Sequence, residues 1–203
     1  MLCKHYHTRQ AHPQCLRERE RVGFIDIESS ALDANYGILL TYCILDNDSN
    51  KLYFDTINKA DIKKWGKTAQ EDTRLLRSLM RDMAQFDRLV GHYSSRFDLP
   101  MIRTRALMCG LSFFDFGDIV QTDTWMILRK KFKLSRNSLE NGVRSLTGKT
   151  QKNHLTLASK HGCLRGEKKA IEFTLDHNRK DVSDTRALWR AINSYAKQNK
   201  SSI

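Results

Sequence analysis

The stretch Arg21-Val-Gly-Phe-Ile-Asp-Ile-Glu-Ser-Ser30 places two carboxylates inside an apolar run that predicts a buried β-strand. Side chains two residues apart on a strand project from the same face, so Asp26 and Glu28 share one face. Two like charges on a core strand are costly unless a metal ion, a proton or a basic partner neutralises them. The pair therefore indicates a magnesium site, although an Asp-x-Glu pair also arises by chance where a strand ends in solvent.

Two further aspartates lie in segments that combine a strand or helix signal with polar residues. Asp98 belongs to Leu89-Val-Gly-His-Tyr-Ser-Ser-Arg-Phe-Asp-Leu-Pro100, where an apolar stretch breaks at Gly91 and a helix is predicted to begin. Asp181 belongs to Thr174-Leu-Asp-His-Asn-Arg-Lys-Asp-Val-Ser-Asp-Thr185, early in another predicted helix. Both aspartates are further candidate site residues, and carboxylates suit Mg²⁺ better than Cys or His clusters do.

These segments resemble the motifs of the DEDD superfamily of 3′-5′ exonucleases, on the ribonuclease H-like fold that also carries polymerase proofreading. The resemblance covers most of residues 21–195. It implies that Asp26 and Glu28 form the first motif, Asp98 the second and Asp181 the third. It further implies that these four carboxylates hold two Mg²⁺ or Mn²⁺ ions and that nucleotides are removed from a 3′ end.

The chain departs from the family pattern at two positions. The family's third motif carries Tyr four residues before its Asp or His five before it, whereas His177 precedes Asp181 by four. Residues four apart share a helical face, so His177 is a candidate general base; the alternative is a histidine that only caps or decorates a helix. Asp184 falls on the same face and could replace or assist Asp181. Tyr93 stands where many members have Asn, which would alter how the terminal nucleotide is held.

The order of predicted elements fits a ribonuclease H-like mixed α/β sheet flanked by helices. Three antiparallel strands come first, followed by alternating helices and strands. Segment 148–169 has little apolar periodicity and is predicted to be a mobile basic loop over the substrate cleft. The predicted strands are 22–28, 36–45, 51–57, 88–92 and 113–116, and the predicted helices are 71–86, 98–109, 122–133, 138–146 and 170–197.

The charge balance indicates a nucleic-acid substrate. Lys and Arg number 35 against 23 Asp and Glu, which gives a net charge of +12. Basic side chains neutralise phosphates and make the affinity for nucleic acid salt-dependent. Any single basic stretch could equally be the solvated face of a helix, so the sum is the stronger argument. The candidate contact residues are Arg129, Lys130, Lys131, Lys133, Lys149, Lys152, Lys160, Arg165, Lys168 and Lys169.

The N-terminal fifteen residues are dense in possible metal ligands, with three His and two of the five Cys of the chain. Cys3, His12 and Cys15 with either His5 or His7 could form a closed tetrahedral zinc site. Such a site would fold a segment too short to have its own core. The alternative is a disordered tail that binds metal loosely.

The composition predicts a short Cys/His-rich segment over residues 1–20 and a single nuclease-like domain over 21–203. Neither a membrane span nor a signal sequence is evident. Cys43, Cys109 and Cys163 are scattered, which favours a reducing, cytoplasmic setting over a disulfide framework. A free-standing domain with this much positive charge would also suit a phage or mobile element.

The sequence and its resemblance together predict a metal-dependent nuclease, a hydrolase acting on ester bonds. The expected substrate is the 3′ end of single-stranded DNA or RNA. The protein is expected to act alone or within a replication or repair assembly, with no membrane partner. Two alternatives stay open: a catalytically inactive nucleic-acid-binding or scaffold protein, and an endonuclease or resolvase on the same fold. Recognition of the 2′-hydroxyl depends on a few side chains, so DNA and RNA are not distinguished.

Overall fold

The computed structural model describes residues 20–63, 71–115, 117–150 and 154–196. Within these ranges the chain forms five strands and seven α-helices, followed by a short 3₁₀ helix. In chain order they are β1 (Val22–Ser29), β2 (Leu39–Asp46), β3 (Leu52–Thr56), α1 (Lys59–Ile62), α2 (Thr73–Met83), β4 (Arg88–Gly91), α3 (Asp98–Met108), β5 (Val120–Asp123), α4 (Thr124–Lys131), α5 (Leu139–Thr147), α6 (Leu157–Leu164), α7 (Lys168–Ile192) and the 3₁₀ helix Asn193–Tyr195.

The five strands form one mixed sheet in the order β3-β2-β1-β4-β5. The pairs β1–β2 and β2–β3 are antiparallel, whereas β1–β4 and β4–β5 are parallel. This arrangement confirms the predicted meander followed by alternating helices and strands. β1 is the central strand and is covered on both faces, which is why its sequence is apolar at successive positions.

The alternation of side chains along β1 separates two hydrophobic clusters. Ile25 and Ile27 belong to the cluster that α2 and α3 complete on one face of the sheet. Phe24 belongs to the cluster on the other face, where it packs with Val182 of α7. Asp26 and Glu28 continue the row of Phe24, so the strand directs both carboxylates toward α7.

The 25-residue helix α7 packs across β1, β2 and β4 and also against α5. Its buried residues Leu188 and Ile192 join Leu128 of α4 and Val143 of α5 in a third apolar cluster. This packing fixes the height of α7 over the sheet. The polar residues one to three turns before Leu188 are thereby held above the carboxyl end of β1.

The short strand predicted at 113–116 is wrong. Residues 111–115 have no regular secondary structure, and the fifth strand is β5, whose Val120 pairs with Arg88 of β4. The rings of Phe113 and Phe114 instead pack edge to face at a centroid distance of 5.3 Å and border the α2–α3 cluster. Apolar side chains in an irregular connection produced the same local pattern as a strand.

The loop predicted over 148–169 is also wrong in part, because it contains helix α6. The Thr156 side chain accepts a hydrogen bond from the Ser159 N–H and so begins the helix, and Gly166 follows its end at φ +73°. Only Gly162 and Cys163 are buried in α6, so it lacks the apolar periodicity that predicts a helix. The single-turn helix α1 was not predicted, and the bounds of α7 are 168–192 instead of 170–197.

Candidate active site

The segment that contains Asp98 is hydrogen-bonded directly to β1, the strand that carries Asp26 and Glu28. The Ile27 N–H of β1 donates a 3.1 Å hydrogen bond to Oδ1 of Asp98, the first residue of α3. Asp98 is buried. Ile27 lies between Asp26 and Glu28, so this bond holds the Asp98 carboxylate beside both of them.

Helix α7 supplies the third part of the cluster. The Nε2 atom of His177 lies 3.5 Å from Oε1 of Glu28 and 3.5 Å from Oδ2 of Asp181. His177 and Asp181 are both buried and lie one helical turn apart, on the face turned toward β1. The helix therefore brings a titratable imidazole between two of the candidate carboxylates.

Asn178 is a site residue that the sequence reasoning missed. Its Nδ2 donates a 2.5 Å hydrogen bond to Oδ2 of Asp26, and its Oδ1 accepts a hydrogen bond from the Thr41 hydroxyl of β2. Asn178 is fully buried, so it holds the Asp26 carboxylate in one orientation. Its position three residues before Asp181, on the same helical face, is the signal that could have revealed it.

Burial and mutual repulsion govern the carboxylates. Burial raises the pKa of Asp26 well above its ordinary value, and the charges of Asp181, Asp98 and Glu28 raise it further, against the hydrogen bond from Asn178. Burial likewise raises the pKa of Asp98 to about 7, although its backbone hydrogen bonds oppose the shift. The buried cluster thus disfavours the charged form of both carboxyl groups.

A lysine from the segment that was predicted to be a loop reaches the cluster. Nζ of Lys160 in α6 lies 3.2 Å from Oε2 of Glu28, and the two side chains are 24% and 15% exposed. Among the basic residues singled out from the sequence, Lys160 is thereby placed at the carboxylates. Lys168, by contrast, extends into solvent near Glu172, at 89% exposure.

An open cleft of about 430 Å³ gives access to the cluster. Its lining includes Asp26 and Asp181, so two of the four carboxylates face it. The remaining lining residues come from the end of β4, from α4 and from the start of α5: His92, Tyr93, Trp125, Asn137, Ser138 and Leu139. A larger cavity of about 620 Å³ lies along β5 and is lined by none of the four carboxylates.

The rings of Tyr93 and Trp125 form the aromatic wall of this cleft. The buried carboxylate of Asp123 holds the backbone of both residues. Oδ1 of Asp123 accepts 2.9 Å hydrogen bonds from the backbone N–H groups of both Tyr93 and Trp125. Tyr93 has a φ of +65°, a left-handed conformation that costs a non-glycine residue about 1–2 kcal/mol. The hydrogen bonds from Tyr93 and from Ser95, which donates to Oδ2 of Asp123, offset that cost. The sequence reasoning did not identify Asp123, although an Asp at the start of the predicted helix 122–133 was an available N-cap signal.

The chain was compared with models of known protein families. A family model described as the RNase_H superfamily matches residues 23–193 of the chain. The chain belongs to the RNase H superfamily. This membership confirms the predicted ribonuclease H-like fold, and it supports a nuclease that hydrolyses nucleic acid.

A solved structure of a family B DNA polymerase from the hyperthermophilic archaeon Pyrobaculum calidifontis is similar over 85% of this RNase H superfamily chain, with a TM-score of 0.65 and 16% identity. The match spans only 24% of the polymerase chain. At this identity the similarity shows the fold alone. A comparison with curated proteins found no match.

RNase H superfamily nucleases generally use divalent metals such as Mg²⁺, and the donor chemistry here fits such an ion. Asp26, Glu28, Asp98 and Asp181 offer hard oxygen ligands, and the repulsion that raises the pKa of Asp26 is what a bound cation would relieve. In the described parts of the chain, however, no three His, Cys, Asp or Glu side chains converge into a ready-made coordination sphere.

The remaining candidate ligands lie elsewhere. Asp184 is buried on α7, and its Oδ2 accepts a 2.6 Å hydrogen bond from the Thr150 hydroxyl. Its neighbour Asp181 is the one whose charge acts on Asp26, which favours Asp181 as the ligand. The proposed zinc ligands Cys3, His7, His12 and Cys15, with His5 as the alternative to His7, lie outside the described residues.

The helices of the described ranges do not combine the length and apolar character needed to cross a bilayer. Three cysteines, Cys43, Cys109 and Cys163, are free and buried. Burial raises the pKa of each of these thiols, most clearly for Cys43, whose pKa rises to about 12. These thiols are therefore protonated near neutral pH and serve as small core side chains.

Proposed function

We propose that this protein is a metal-dependent 3′-5′ exonuclease acting on DNA or RNA. The observation that carries the proposal is the convergence of Asp26, Glu28, Asp98 and Asp181, from β1, α3 and α7, beside an open cleft in an RNase H superfamily chain. The 3′-5′ direction rests on the resemblance of these motifs to the DEDD exonucleases.

The four carboxylates would hold two Mg²⁺ or Mn²⁺ ions, which supply charge neutralisation at the phosphate and lower the pKa of bound water. The protein's own contribution is to keep the carboxylates in place. Ile27 orients Asp98 through its N–H, and Asn178 orients Asp26 through its side-chain amide. Such fixed dipoles lower the reorganisation needed during the reaction.

We assign His177 as the general base. Its Nε2 lies between Glu28 and Asp181, at 3.5 Å from an oxygen of each, so the ring is held at the carboxylate cluster. A neutral imidazole there accepts the proton of the attacking water, and a positioned base typically contributes about 10²- to 10⁴-fold to the rate. The competing role is orientation of the two carboxylates alone.

We assign Lys160 to charge neutralisation at the phosphate. Its ammonium group already lies 3.2 Å from Glu28, within the cluster where phosphate charge would arrive. If Glu28 turns to a metal ion, Lys160 loses that partner and becomes able to contact a phosphate oxygen. A lysine placed this way acts as a point charge and does not require a fixed angle.

One observation favours a second candidate function, a catalytically inactive nucleic-acid-binding protein. Nζ of Lys160 lies 3.2 Å from Oε2 of Glu28, so a side-chain cation already pairs with one of the four carboxylates. In that case the basic surface would still bind nucleic acid while turnover is absent. An endonuclease on the same fold is a third outcome that a cleavage assay separates.

The decisive experiment follows 5′-end-labelled single-stranded DNA and RNA on a denaturing gel with Mg²⁺ or Mn²⁺, beside a circular single-stranded substrate. Wild type is expected to shorten the linear substrates from the 3′ end and to leave the circle intact. Asp26→Asn is expected to abolish the ladder. Asp176→Asn is the matched control on α7, because the Asp176 side chain is 47% exposed and pairs with Nζ of Lys180 at 2.5 Å.

Each other result selects a different function. Binding without cleavage in either metal would support the inactive scaffold. Internal cuts in the circle would support the endonuclease. A ladder that persists unchanged in Asp26→Asn would contradict the assignment of this site.

The setting of the activity is a further proposal. The similarity to part of a family B DNA polymerase motivates a role within a replication or repair assembly. The three free, buried cysteines motivate a reducing compartment such as the cytoplasm. Co-purification of the tagged full chain with and without nuclease treatment would separate a protein assembly from association through nucleic acid.

A further inference from the structure

Three arginines lie in a row along the side of α7 that meets β3 and the turn between β2 and β3. Arg179, Arg186 and Arg190 follow one another at helical spacing, so they share one face of the helix. Arg179 and Arg186 are partly buried, and Arg190 is exposed. Among the described residues, the lining of the carboxylate cleft does not include any of the three. The row is therefore a charged surface outside the site described above.

Two of these arginines are held side by side by neutral groups of the turn. Nη1 of Arg186 donates a 2.6 Å hydrogen bond to Oδ1 of Asn50, and Nη2 of Arg190 donates a 3.1 Å hydrogen bond to Oδ1 of Asn47. Burial lowers the pKa of Arg186, and the positive charge of Arg190 lowers it further. The turn contains one acidic residue, Asp48, whose Oδ1 accepts a hydrogen bond from Asn47. The fold thus keeps two like charges together, an arrangement that an anionic ligand would stabilise.

The third arginine connects this row to the candidate active site. Cζ of Arg179 lies 4.6 Å from the centre of the Phe54 ring, so the guanidinium group is held over β3 by a cation–π contact. Asp26, Cys43 and Phe54 are paired in register across β1, β2 and β3. Neighbouring strands lie about 4.8 Å apart, so Phe54 is about 10 Å across the sheet from Asp26. A strand whose end lies at the carboxylates can therefore extend onto the row.

The dimensions of the row suit an extended anion. From Arg179 to Arg190 it measures about 16 Å along the helix axis, at about 1.5 Å per residue. That length corresponds to about five phosphates of a stacked strand, at about 3.4 Å for each phosphate. A single small anion needs donors that converge on one point, whereas these guanidinium groups are spread along a line. Guanidinium groups bind phosphate through paired N–H donors, and the net charge of +12 also favours nucleic acid as the ligand.

We propose that Arg179, Arg186 and Arg190 form a second nucleic-acid site, which binds the phosphate backbone of a strand away from its 3′ end. The inference deepens the proposed nuclease function and rests on it for the identity of the ligand. Contacts with phosphates carry no base information, so the site tolerates any sequence. It would keep a shortened strand bound between successive cleavages.

The test uses a ligand that has no 3′ end. The full chain, in EDTA, is titrated into a fluorescein-labelled circular single-stranded oligonucleotide, and fluorescence anisotropy gives the affinity at several salt concentrations. The test variant is Arg186→Gln/Arg190→Gln. The matched control is Arg77→Gln/Arg81→Gln, which removes two exposed charges at the same spacing from α2, on the other face of the sheet.

The control is expected to bind the circle as wild type does, and the α7 double variant is expected to bind it more weakly. The slope of log K against log salt concentration should become shallower by about 1.4 in the α7 variant, which is about 0.7 for each lost phosphate contact. Arg186→Lys/Arg190→Lys keeps both charges and should restore the wild-type slope. Equal affinities of the two Gln variants, or a Lys variant as weak as the Gln variant, would overturn the second site.

A competition experiment separates nucleic acid from acidic protein as the ligand. Unlabelled circular oligonucleotide is expected to displace the labelled circle at a lower concentration of negative charge than polyglutamate does. Equal displacement by the two polyanions would show a general anion surface and overturn the assignment. If Arg186→Gln/Arg190→Gln does not fold, Arg190→Gln replaces it, because Arg190 is exposed, and the slope should then change by about 0.7.

The cleavage assay on linear substrates keeps this inference distinct from the proposed function. Shortening from the 3′ end by wild type, together with an unchanged affinity of the α7 variant for the circle, would refute the second site alone. A weakened affinity of the α7 variant, with no cleavage by wild type in Mg²⁺ or Mn²⁺, would support the second site and contradict the nuclease.

Discussion

The Ile27 N–H donates a 3.1 Å hydrogen bond to Oδ1 of Asp98, a residue 71 positions further along the chain. The bond is buried and joins the central strand to the first turn of α3. The donor, the Ile27 N–H, lies near the end of β1, where the register with β2 shifts between Glu28 and Ser29. A carboxylate held in this way is positioned before any ligand arrives, which is the property that a metal site needs.

The raised pKa values predict a pH-dependent stability of the metal-free protein. Asp98 has a folded-state pKa of about 7, against an unfolded value of about 3.9, so its protonated form favours folding. That contribution is fully present below about pH 4 and is lost as the pH rises to about 7. We expect the midpoint of thermal unfolding in EDTA to fall between pH 5 and pH 8, and this fall to be smaller in Asp98→Asn.

Divalent metal should reverse that trend. The ligands must be deprotonated to bind, so Mg²⁺ or Mn²⁺ is expected to raise the melting temperature more at pH 8 than at pH 5.5. Each kcal/mol corresponds to about 2–4 °C in a domain of this size. Differential scanning fluorimetry across the two pH values measures the effect, and an equal metal-induced shift at both would contradict it.

Asn178 is expected to matter for both stability and activity. Asn178→Ala removes the donor to Asp26 and the acceptor of the Thr41 hydroxyl, which costs about 1–3 kcal/mol for buried groups. Asn178→Asp should be worse for stability near neutral pH, because it adds a charge to the carboxylate cluster. Chemical denaturation and initial cleavage rates together check this, and an Asn178→Ala protein with wild-type values of both would remove Asn178 from the site.

His177→Gln separates a base from a structural residue. We expect about a 10²- to 10⁴-fold fall in kcat and an unchanged metal-induced rise in melting temperature. The acidic limb of the pH–rate profile should also change, which a merely orienting histidine would not cause. Wild-type turnover in His177→Gln would rule out the base assignment.

Lys160 should oppose metal binding and assist phosphate binding. Lys160→Met removes the ammonium group 3.2 Å from Glu28, so we expect the Mn²⁺ affinity, measured by electron paramagnetic resonance, to rise a few-fold. We expect the single-strand affinity at low salt to fall. Lys168→Met is the control, since Lys168 is 89% exposed and lies near Glu172 on its own helix. Identical behaviour of the two variants would show that Lys160 has no special role.

The N-terminal zinc site stays a prediction with a direct measurement. Elemental analysis of the full chain is expected to find one zinc per molecule, which Cys15→Ser should lose. His154→Asn serves as the control, because His154 is an exposed histidine far along the chain. Metal-free protein that is fully folded would end the idea of a structural zinc.

Regular local patterns were sufficient for several elements. The apolar run of β1 predicts a strand. The helical spacing of Leu75, Leu76, Leu79 and Met83 predicts α2, and all four side chains are buried in the structure. The strand at 113–116 failed because Phe113 and Phe114 satisfy the same pattern from an irregular segment. A local pattern reports burial but does not report which neighbour provides it.

By itself the sequence determined the order of most strands and helices and the strand face that Asp26 and Glu28 share, because alternation and helical spacing are properties of neighbouring residues. The superfamily fold and the grouping of Asp98 and Asp181 with that pair were implied by the resemblance of the motifs to the DEDD exonucleases. Only the tertiary structure decided that Asn178 holds Asp26, that Lys160 meets Glu28 and that Asp123 anchors the aromatic wall of the cleft. Except for the Asp123 bond to Trp125, these contacts join side chains or backbone groups from segments far apart in the chain. The partners of Asn178 and Lys160 are set by how α7 and α6 pack on the sheet, and the bond between Asp123 and Tyr93 is set by the parallel pairing of β4 with β5. These pairings depend on contacts between distant segments.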